Sequence, residues 1–416
     1  MSEDPVMTSP RARWIVEITC AALGVWLILW AWRADRHWFE VHTLDFYSCT
    51  TDPKELGRAS FERVVAVVVG ALLLLVARPR LGRWVGSRTP RAALGALARI
   101  AVAFVLALLA CEGILRLKHD PPGPPTLHWE PISDADPVLH WRPARSRTTE
   151  HKIGDKVVAF HIDANGWRVK SPDEVVDFDR PTILFTGESV ASGFGLPYED
   201  TYPSMIGDDL HVQVVNVAVQ GYGSDQAYLR MHEALPRFHH PVAAVTLVVP
   251  TQIHRNVAID RPRLGLNDDG TFFPVPRHDD DWLAPLRRSR LAGVYEKVFG
   301  YHSDEAFRIA RAIYVATAKE ARARGAFPLF VLTSWGAACL PDDTGLPPLE
   351  HNLFDGLNVE HISVDPPPDA WDEAIQHTGP RGHRAIADAI EHSLREHALF
   401  PQPGTTTGGT DAADVH

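Results

Sequence analysis

PTILFTGESVASGFG, residues 181–195, is the stretch from which the rest of the chain is read. Ile183, Leu184 and Phe185 form a short apolar run bounded by Pro181 and Gly187, the pattern of a buried strand, and residues 201–210 read as a helix. Ser189 therefore stands in a glycine-rich strand-to-helix turn. In an open parallel α/β sheet, ligands bind beyond the carboxyl ends of the strands, where backbone N–H groups can hold an anion. A serine hydroxyl is a weak nucleophile until a base takes its proton, so a catalytic reading requires a histidine that folds back onto this turn. An ordinary turn with an incidental serine is the other reading of this stretch taken alone.

Outward from the turn, strands and helices alternate. Strands are expected at 183–186, 212–217, 243–249, 327–333 and 359–364, with helices at 201–210, from Ser224, from Ser303 to Gly325, and over 381–397. This order specifies a doubly wound parallel sheet with helices on both faces. Residues 251–302 interrupt it as an insertion, carrying a hairpin signal at 267–270 and an acidic run at 279–281. Such an insertion at a sheet's ligand-binding edge is either a lid or a surface decoration. Upstream, 151–170 holds alternating stretches such as VVAFHI at 157–162 and reads as a β apron beginning within 119–150, not as a separate domain. The soluble domain is placed at 151–400, and the Gly- and Thr-rich tail, 401–416, is expected to be disordered.

Residues 1–118 carry three apolar segments, 14–32, 60–77 and 93–115, each long enough to cross a hydrocarbon layer of about 30 Å as a helix when flanking arginines snorkel. The connection RPRLGRWVGSRTPR, with Arg78, Arg80, Arg83, Arg88 and Arg91 and no acid, marks the cytoplasmic side. Three crossings then leave the C-terminal domain outside, so a multi-pass inner-membrane protein with an extracytoplasmic, periplasmic domain is expected. DPPGPP, 120–125, reads as a stiff spacer. Glu17 and Glu112 lie within the apolar segments. With no paired repeats visible, anchoring is the reading, not transport.

The net charge of −11 argues against nucleic acid as a partner. The chain's 21 histidines and 4 cysteines show no zinc-type spacing, so neither a metal nor another cofactor is called for. Cys49 and Cys339 share the outer compartment and are a candidate pair. Abundant Arg, Ala and Pro suggest a bacterial source.

Four blocks, in order, resemble the SGNH hydrolases, the GDSL-type esterases, over roughly 150–398. Gly187-Glu188-Ser189 resembles the family's Gly-Asp-Ser block, and NVAVQGYG places Gly221 at its oxyanion glycine. HTGPRGHRAIADAI resembles the last block, with His377 as base. DANGWR, 163–168, resembles an asparagine-glycine-aromatic-arginine signature of membrane-anchored members. The resemblance implies a flavodoxin-like three-layer α/β/α fold and hydrolysis of acyl esters. In the mechanism this resemblance implies, Ser189 attacks, His377 shuttles the proton, and the N–H groups of Ser189 and Gly221 hold the oxyanion. The family's third block normally supplies an asparagine amide to that hole; here Gln252 lies nearest, with Asn256 the other candidate. The family's aspartate three residues before the histidine is replaced by Ala374. Asp372 is the preferred orienting acid, with Glu373, Asp369 or a backbone carbonyl as alternatives. The exposed location points to acylated polysaccharide, peptidoglycan or lipid as substrate. A noncatalytic glycan- or partner-binding domain and an O-acyltransferase remain alternatives, since one fold serves all three.

Overall fold

A computed structural model describes residues 10–34, 53–119, 132–153, 156–258, 261–276, 289, 303–333, 346–372, 374–375 and 377–402. Cys49, Cys339, Glu373, the spacer at 120–125, the later part of the insertion and the tail beyond Gln402 lie outside these residues. The chain divides into two compact units, one N-terminal and one built around the sheet.

The N-terminal unit consists of helices α1 (Pro10–Arg33), α2 (Pro53–Leu72), α3 (Arg78–Gly86) and α4 (Pro90–His119). Among the described residues, three helical stretches are long and apolar enough to cross a membrane: Arg13–Arg33, Ser60–Gly86 and Ala98–Leu117. The second differs from the sequence expectation, because the helix does not stop at Ala77. It runs on through a π turn, Leu73–Ala77, into α3, where the Arg78 N–H bonds back to the Leu73 carbonyl. Pro79 is the physical reason. Its ring cannot donate to the helix and crowds the carbonyl four residues back, and one wider turn relieves both conflicts without ending the helix. The basic segment is therefore largely helical, not a loop.

Gly24 and Gly70 let α1 and α2 touch backbone to backbone: a Cβ on Gly24 would lie 2.8 Å from the Gly70 carbonyl, and one on Gly70 would lie 2.7 Å from the Gly24 carbonyl. Two of the acids inside the apolar segments are each ion-paired one turn along their own helix, Glu17 with Arg13 at 2.7 Å and Glu112 with Arg116 at 2.6 Å. Such local pairs lower the cost of an acid in an apolar helix.

The second unit is an α/β domain on one eight-stranded sheet. Its strands β3 (Arg147–Ile153), β4 (Lys156–Ile162), β5 (Arg168–Val169), β6 (Thr182–Thr186), β7 (Gln213–Asn216), β8 (Pro241–Val248), β11 (Phe327–Thr333) and β12 (Glu360–Val364) lie in the order 12-11-8-6-7-5-4-3. β6, β7, β8, β11 and β12 are mutually parallel. Numbered along the chain, these five run 2-1-3-4-5, the flavodoxin-like order, so the strand order reverses between β6 and β8. The apron is not an appendage. β3 and β4 pair antiparallel, and β5 ties them to β7 through Arg168 opposite Asn216, extending the same sheet.

Both faces of the parallel strands are covered, which is why they read as continuous apolar runs. Ile183, Phe185, Val245 and Leu247 pack with Tyr202 and Ile206 of α6 (Tyr202–Leu210) and with Ile386 and Ile390 of α11 (Pro380–Glu396). The alternate residues Leu184 and Ala244 face the other way, against Met231 of α7 (Ser224–Ala234) and Ala321 of α9 (Ser303–Ala323). This gives three layers. A hairpin of β9 (Arg263–Leu266) and β10 (Phe272–Val275) opens the insertion, with Gly270 at φ +82° in the expected turn. Further elements were not evident from sequence: the hairpin β1 (Ser133–Asp136) and β2 (His140–Pro143), a one-turn α5 (Ser189–Ser192), α8 (Pro250–Arg255), α10 (Leu346–Phe354), and a two-rung ladder of β13 (Trp371–Asp372) and β14 (His377–Thr378).

Candidate active site

The site is assembled at the carboxyl ends of β6, β7 and β8, at the reversal of strand order. Gly187 follows β6 with φ +146°, and a Cβ there would lie 2.8 Å from the Ala191 Cβ and 3.0 Å from the Leu247 carbonyl. Glycine is what allows the chain to turn this sharply. Glu188 then caps α5 by accepting the Val190 N–H at 3.1 Å, and Ser189 is the first residue of that helix. Ser189 is 6% exposed.

His377 reaches the serine across 188 positions of sequence, its Nε2 lying 2.9 Å from the Ser189 Oγ. Its Nδ1 faces the Ile375 carbonyl at 3.1 Å. A carbonyl accepts only, so Nδ1 carries the hydrogen, and whenever the ring is neutral its lone pair lies at Nε2, the tautomer a general base requires. The Phe194 ring packs 4.6 Å from the imidazole, centroid to centroid. Asp372 is directly opposite His377 in the β13–β14 register, and opposed residues share a face. Its Oδ1 accepts the Ala374 N–H at 2.9 Å. Asp369 is ion-paired with Arg381. Of the proposed orienting groups, the backbone carbonyl is the one hydrogen-bonded to Nδ1 among the described contacts, and Asp372 is the carboxylate placed across the ladder.

Gly221 has φ +75°, and Trp141 closes over it: a Cβ on this glycine would lie 3.2 Å from the indole. The Trp141 Nε1 donates to the Gln220 carbonyl at 3.2 Å, and the Tyr222 hydroxyl donates to the Trp141 carbonyl at 2.5 Å. The β1–β2 hairpin thus fixes the loop that carries Gly221. Gln252, on α8, uses its Oε1 to accept the Val249 N–H at 3.1 Å, and its Nε2 is buried without a partner among the described residues. The same holds for Asn256, whose Oδ1 accepts the Asp225 N–H at 3.3 Å while Nδ2 is unsatisfied. Each candidate amide therefore keeps a donor in hand beside the turn of strand order.

Arg168, the last residue of DANGWR, has a role that spacing did not reveal. It is fully buried, its guanidinium lies 3.7 Å over the Phe160 ring, and it donates to the carbonyls of Ser192 at 2.5 Å, Gly193 at 2.7 Å and Leu196 at 2.6 Å. These carbonyls close α5 and flank Phe194 in the loop that follows it. Burial pushes its guanidinium down to about 9. Gly193, at φ +71°, makes room, since a Cβ there would lie 2.5 Å from Arg168 Nη1. The signal available in the sequence was the arginine itself, at the end of an Asx turn in which Asp163 accepts the Asn165 and Trp167 N–H groups at 2.8 Å.

A cavity of about 410 Å³ adjoins the loop before Gly221, lined by Trp141, Phe160, Ile162 and Val219 with Arg168 and Ser192. Its size and its apolar walls with few polar groups are those of a small-molecule pocket. No grouping of metal-ligating side chains occurs among the described residues.

His383, on α11, accepts the Tyr202 N–H at Nδ1, 3.1 Å away, and burial pushes its imidazole down to about 3, with the charges of Arg168 and His377 adding to the effect. The unfolded state therefore takes up a proton that the folded state refuses between pH 6.5 and about 3, so this residue's contribution to stability falls as pH falls through that window. Asp225 acts with the opposite sign: burial raises its carboxyl to about 6, so its contribution falls as pH rises from 3.8 to about 6. Replacing His383 by glutamine is expected to flatten the acid side of the stability profile, read as thermal unfolding against pH. An unchanged slope would mean that the residue is not held neutral.

No family model matches the sequence, and no curated protein does. Solved structures similar to this chain include a member of the lipolytic protein G-D-S-L family from Veillonella parvula DSM 2008, 13% identical, covering 51% of this chain and 98% of that one with a TM-score of 0.29. They also include an acetyl xylan esterase from Geobacillus stearothermophilus, 15% identical, covering 53% and 96% with a TM-score of 0.32. An acetyl xylan esterase from the rumen bacterium Butyrivibrio proteoclasticus is 15% identical, covering 55% and 67% with a TM-score of 0.31.

Proposed function

We propose that this chain is a membrane-anchored serine esterase of the SGNH type, hydrolysing short acyl esters carried by envelope glycan or lipid. The observation that carries the reading is the 2.9 Å contact between His377 Nε2 and Ser189 Oγ, with Nδ1 committed to the Ile375 carbonyl. Two residues so far apart in sequence are brought together in the geometry of a nucleophile and its base.

In the proposed reaction the Ser189 Oγ attacks the ester carbonyl as its proton passes to His377 Nε2. The N–H groups of Ser189 and Gly221, with the Gln252 amide, receive the developing oxyanion. The imidazolium returns the proton to the leaving alkoxide as the C–O bond breaks. Water then attacks the acyl-serine, giving its proton to His377, which passes it to the Ser189 Oγ as the acyl–oxygen bond breaks and the acid is released. Because the Ile375 carbonyl already fixes the ring, Asp372→Asn is expected to cost about tenfold in kcat/KM, far below the ~10⁴ seen where a carboxylate alone sets the tautomer. A loss near 10⁴ would move the orienting role to Asp372.

The domain is proposed to face the outside of the cytoplasmic membrane, on the strength of the arginines between Arg78 and Arg91. A phosphatase reporter fused after Pro125 should then be active and one fused at Arg88 inactive; the opposite pattern would invert the topology. Turnover of an aryl acetate by the full chain in detergent, lost in His377→Ala, tests the esterase reading. Turnover that survives the substitution would refute it.

A further inference from the structure

Glu188 stands against the nucleophile itself. It is 1% exposed, and its Oε2 lies 2.5 Å from the Ser189 Oγ and 3.5 Å from Arg255 Nη1, while Oε1 holds the helix cap. The same Oγ has His377 Nε2 at 2.9 Å on its other side. A serine hydroxyl has one hydrogen to donate, and here it has two acceptors.

The protons of this trio can be counted. Nδ1 of His377 carries a hydrogen because it faces the Ile375 carbonyl. If Ser189 donates to Glu188, the 2.9 Å contact with Nε2 is attractive only when Nε2 is also protonated. If Ser189 donates to Nε2, the 2.5 Å contact with Glu188 is attractive only when Oε2 carries a proton. Either arrangement holds one proton more than the state ready to react, in which Nε2 is bare and Glu188 is a carboxylate.

We infer that Glu188 is a catalytic residue whose side chain, held against the Ser189 Oγ, keeps this extra proton on the pair formed by Ser189 and His377 and so sets the pH above which the nucleophile becomes active. The inference rests on the serine-esterase reading above. Activation is loss of that proton to solvent. The Oγ–H is then directed to Nε2, and the Glu188 carboxylate is left to Arg255, which also donates to the Tyr222 carbonyl at 2.9 Å. A negative charge beside the pair favours its protonated form, so removing that charge must ease the proton's departure.

Other charged groups face the pair. Asp372 of β13, opposite His377 in the ladder, favours the protonated form, whereas Arg255 of α8 opposes positive charge there; Arg168 of β5 acts on His383 of α11. His383 is itself held neutral by burial. All of these persist when Glu188 alone is changed, so a comparison of variants isolates its contribution.

The test uses the full chain in detergent and an alkyl phosphonofluoridate, whose reaction with an activated serine needs no knowledge of the natural substrate. The second-order labelling rate is measured from pH 5 to 9 for wild type, Glu188→Gln and Glu188→Asp, each profile normalised to its own alkaline plateau. Glutamine retains an acceptor for the Val190 N–H, and thermal unfolding checks the fold. The acid limb is expected to move to lower pH by about one unit in Glu188→Gln, a tenfold gain in normalised rate on the limb, and by less in Glu188→Asp. A limb that stays in place in folded, Ser189-labelled Glu188→Gln overturns the assignment, as does a shift to higher pH. Should the glutamine variant fail to fold, an Asp variant with an unmoved limb overturns it. Absence of labelling at Ser189 in wild type at every pH overturns the esterase reading, and this inference with it.

Discussion

Ser189→Ala is expected to lower kcat/KM toward an aryl acetate by about 10⁴-fold or more, with the fold intact. Ser189 Oγ is held between the Glu188 carboxylate and His377 Nε2, and α5 is capped by Glu188, so the hydroxyl itself contributes little to the turn's stability. Alanine removes the nucleophile and leaves the cap, the Gly187 turn and the packing of Val190 and Ala191 in the core. Unfolding midpoints of the two proteins should agree to within a few degrees. A variant that keeps a tenth of the wild-type rate would place the nucleophile elsewhere.

Arg168 carries the second large effect, on stability and rate together. Its guanidinium satisfies the Ser192, Gly193 and Leu196 carbonyls at 2.5–2.7 Å inside a fully buried site. Arg168→Leu removes these donors and leaves the carbonyls facing an apolar side chain, at a cost of about 3–5 kcal/mol. In whatever fraction folds, the loop bearing Phe194 loses its tether, and with it one wall of the His377 pocket. Lysine offers a point charge in place of a planar fork and cannot reach all these carbonyls at once, so Arg168→Lys should recover less than half of the lost stability. Denaturant unfolding of the three proteins measures the ranking. A lysine variant equal to wild type would show that charge alone, without the fork, holds the loop.

Much of this was legible in the sequence because it is written locally. The apolar run at 183–185 closed by Gly187 specified a strand and a sharp turn, and its alternation with 201–210 and 212–217 specified the parallel sheet. Ser189 and His377 were legible through their blocks, and the structure brings the two together. Other features were less readable, each for its own physical reason. Arg168 acts 24 to 28 residues downstream through backbone carbonyls, which have no residue identity to recognise. The same is true of the Ile375 carbonyl on His377. Glu188 occupies a position where a shorter acid is usual, and its extra methylene matters only once the turn brings it onto Oγ. The apron joins the main sheet through a single residue pair, Arg168 with Asn216, too short a strand to show periodicity. Pro79 resembled a helix end until a π turn absorbed it.

Gln252 illustrates a middle case. Its place after β8 is where the resemblance puts an amide for an oxyanion hole, and its side chain caps its own helix through Oε1. Nε2 is buried without a partner among the described residues, so one amide can offer an acceptor to the cap and a donor to an anion.

The most direct measurement is mass mapping of the full chain after reaction with an alkyl phosphonofluoridate near pH 8, wild type beside His377→Ala. One adduct on Ser189 in wild type, at least a hundredfold slower to form without the histidine, is the predicted result. A folded wild-type protein with no adduct, or with its adduct on another serine, would contradict the assignment of Ser189 and His377 as nucleophile and base.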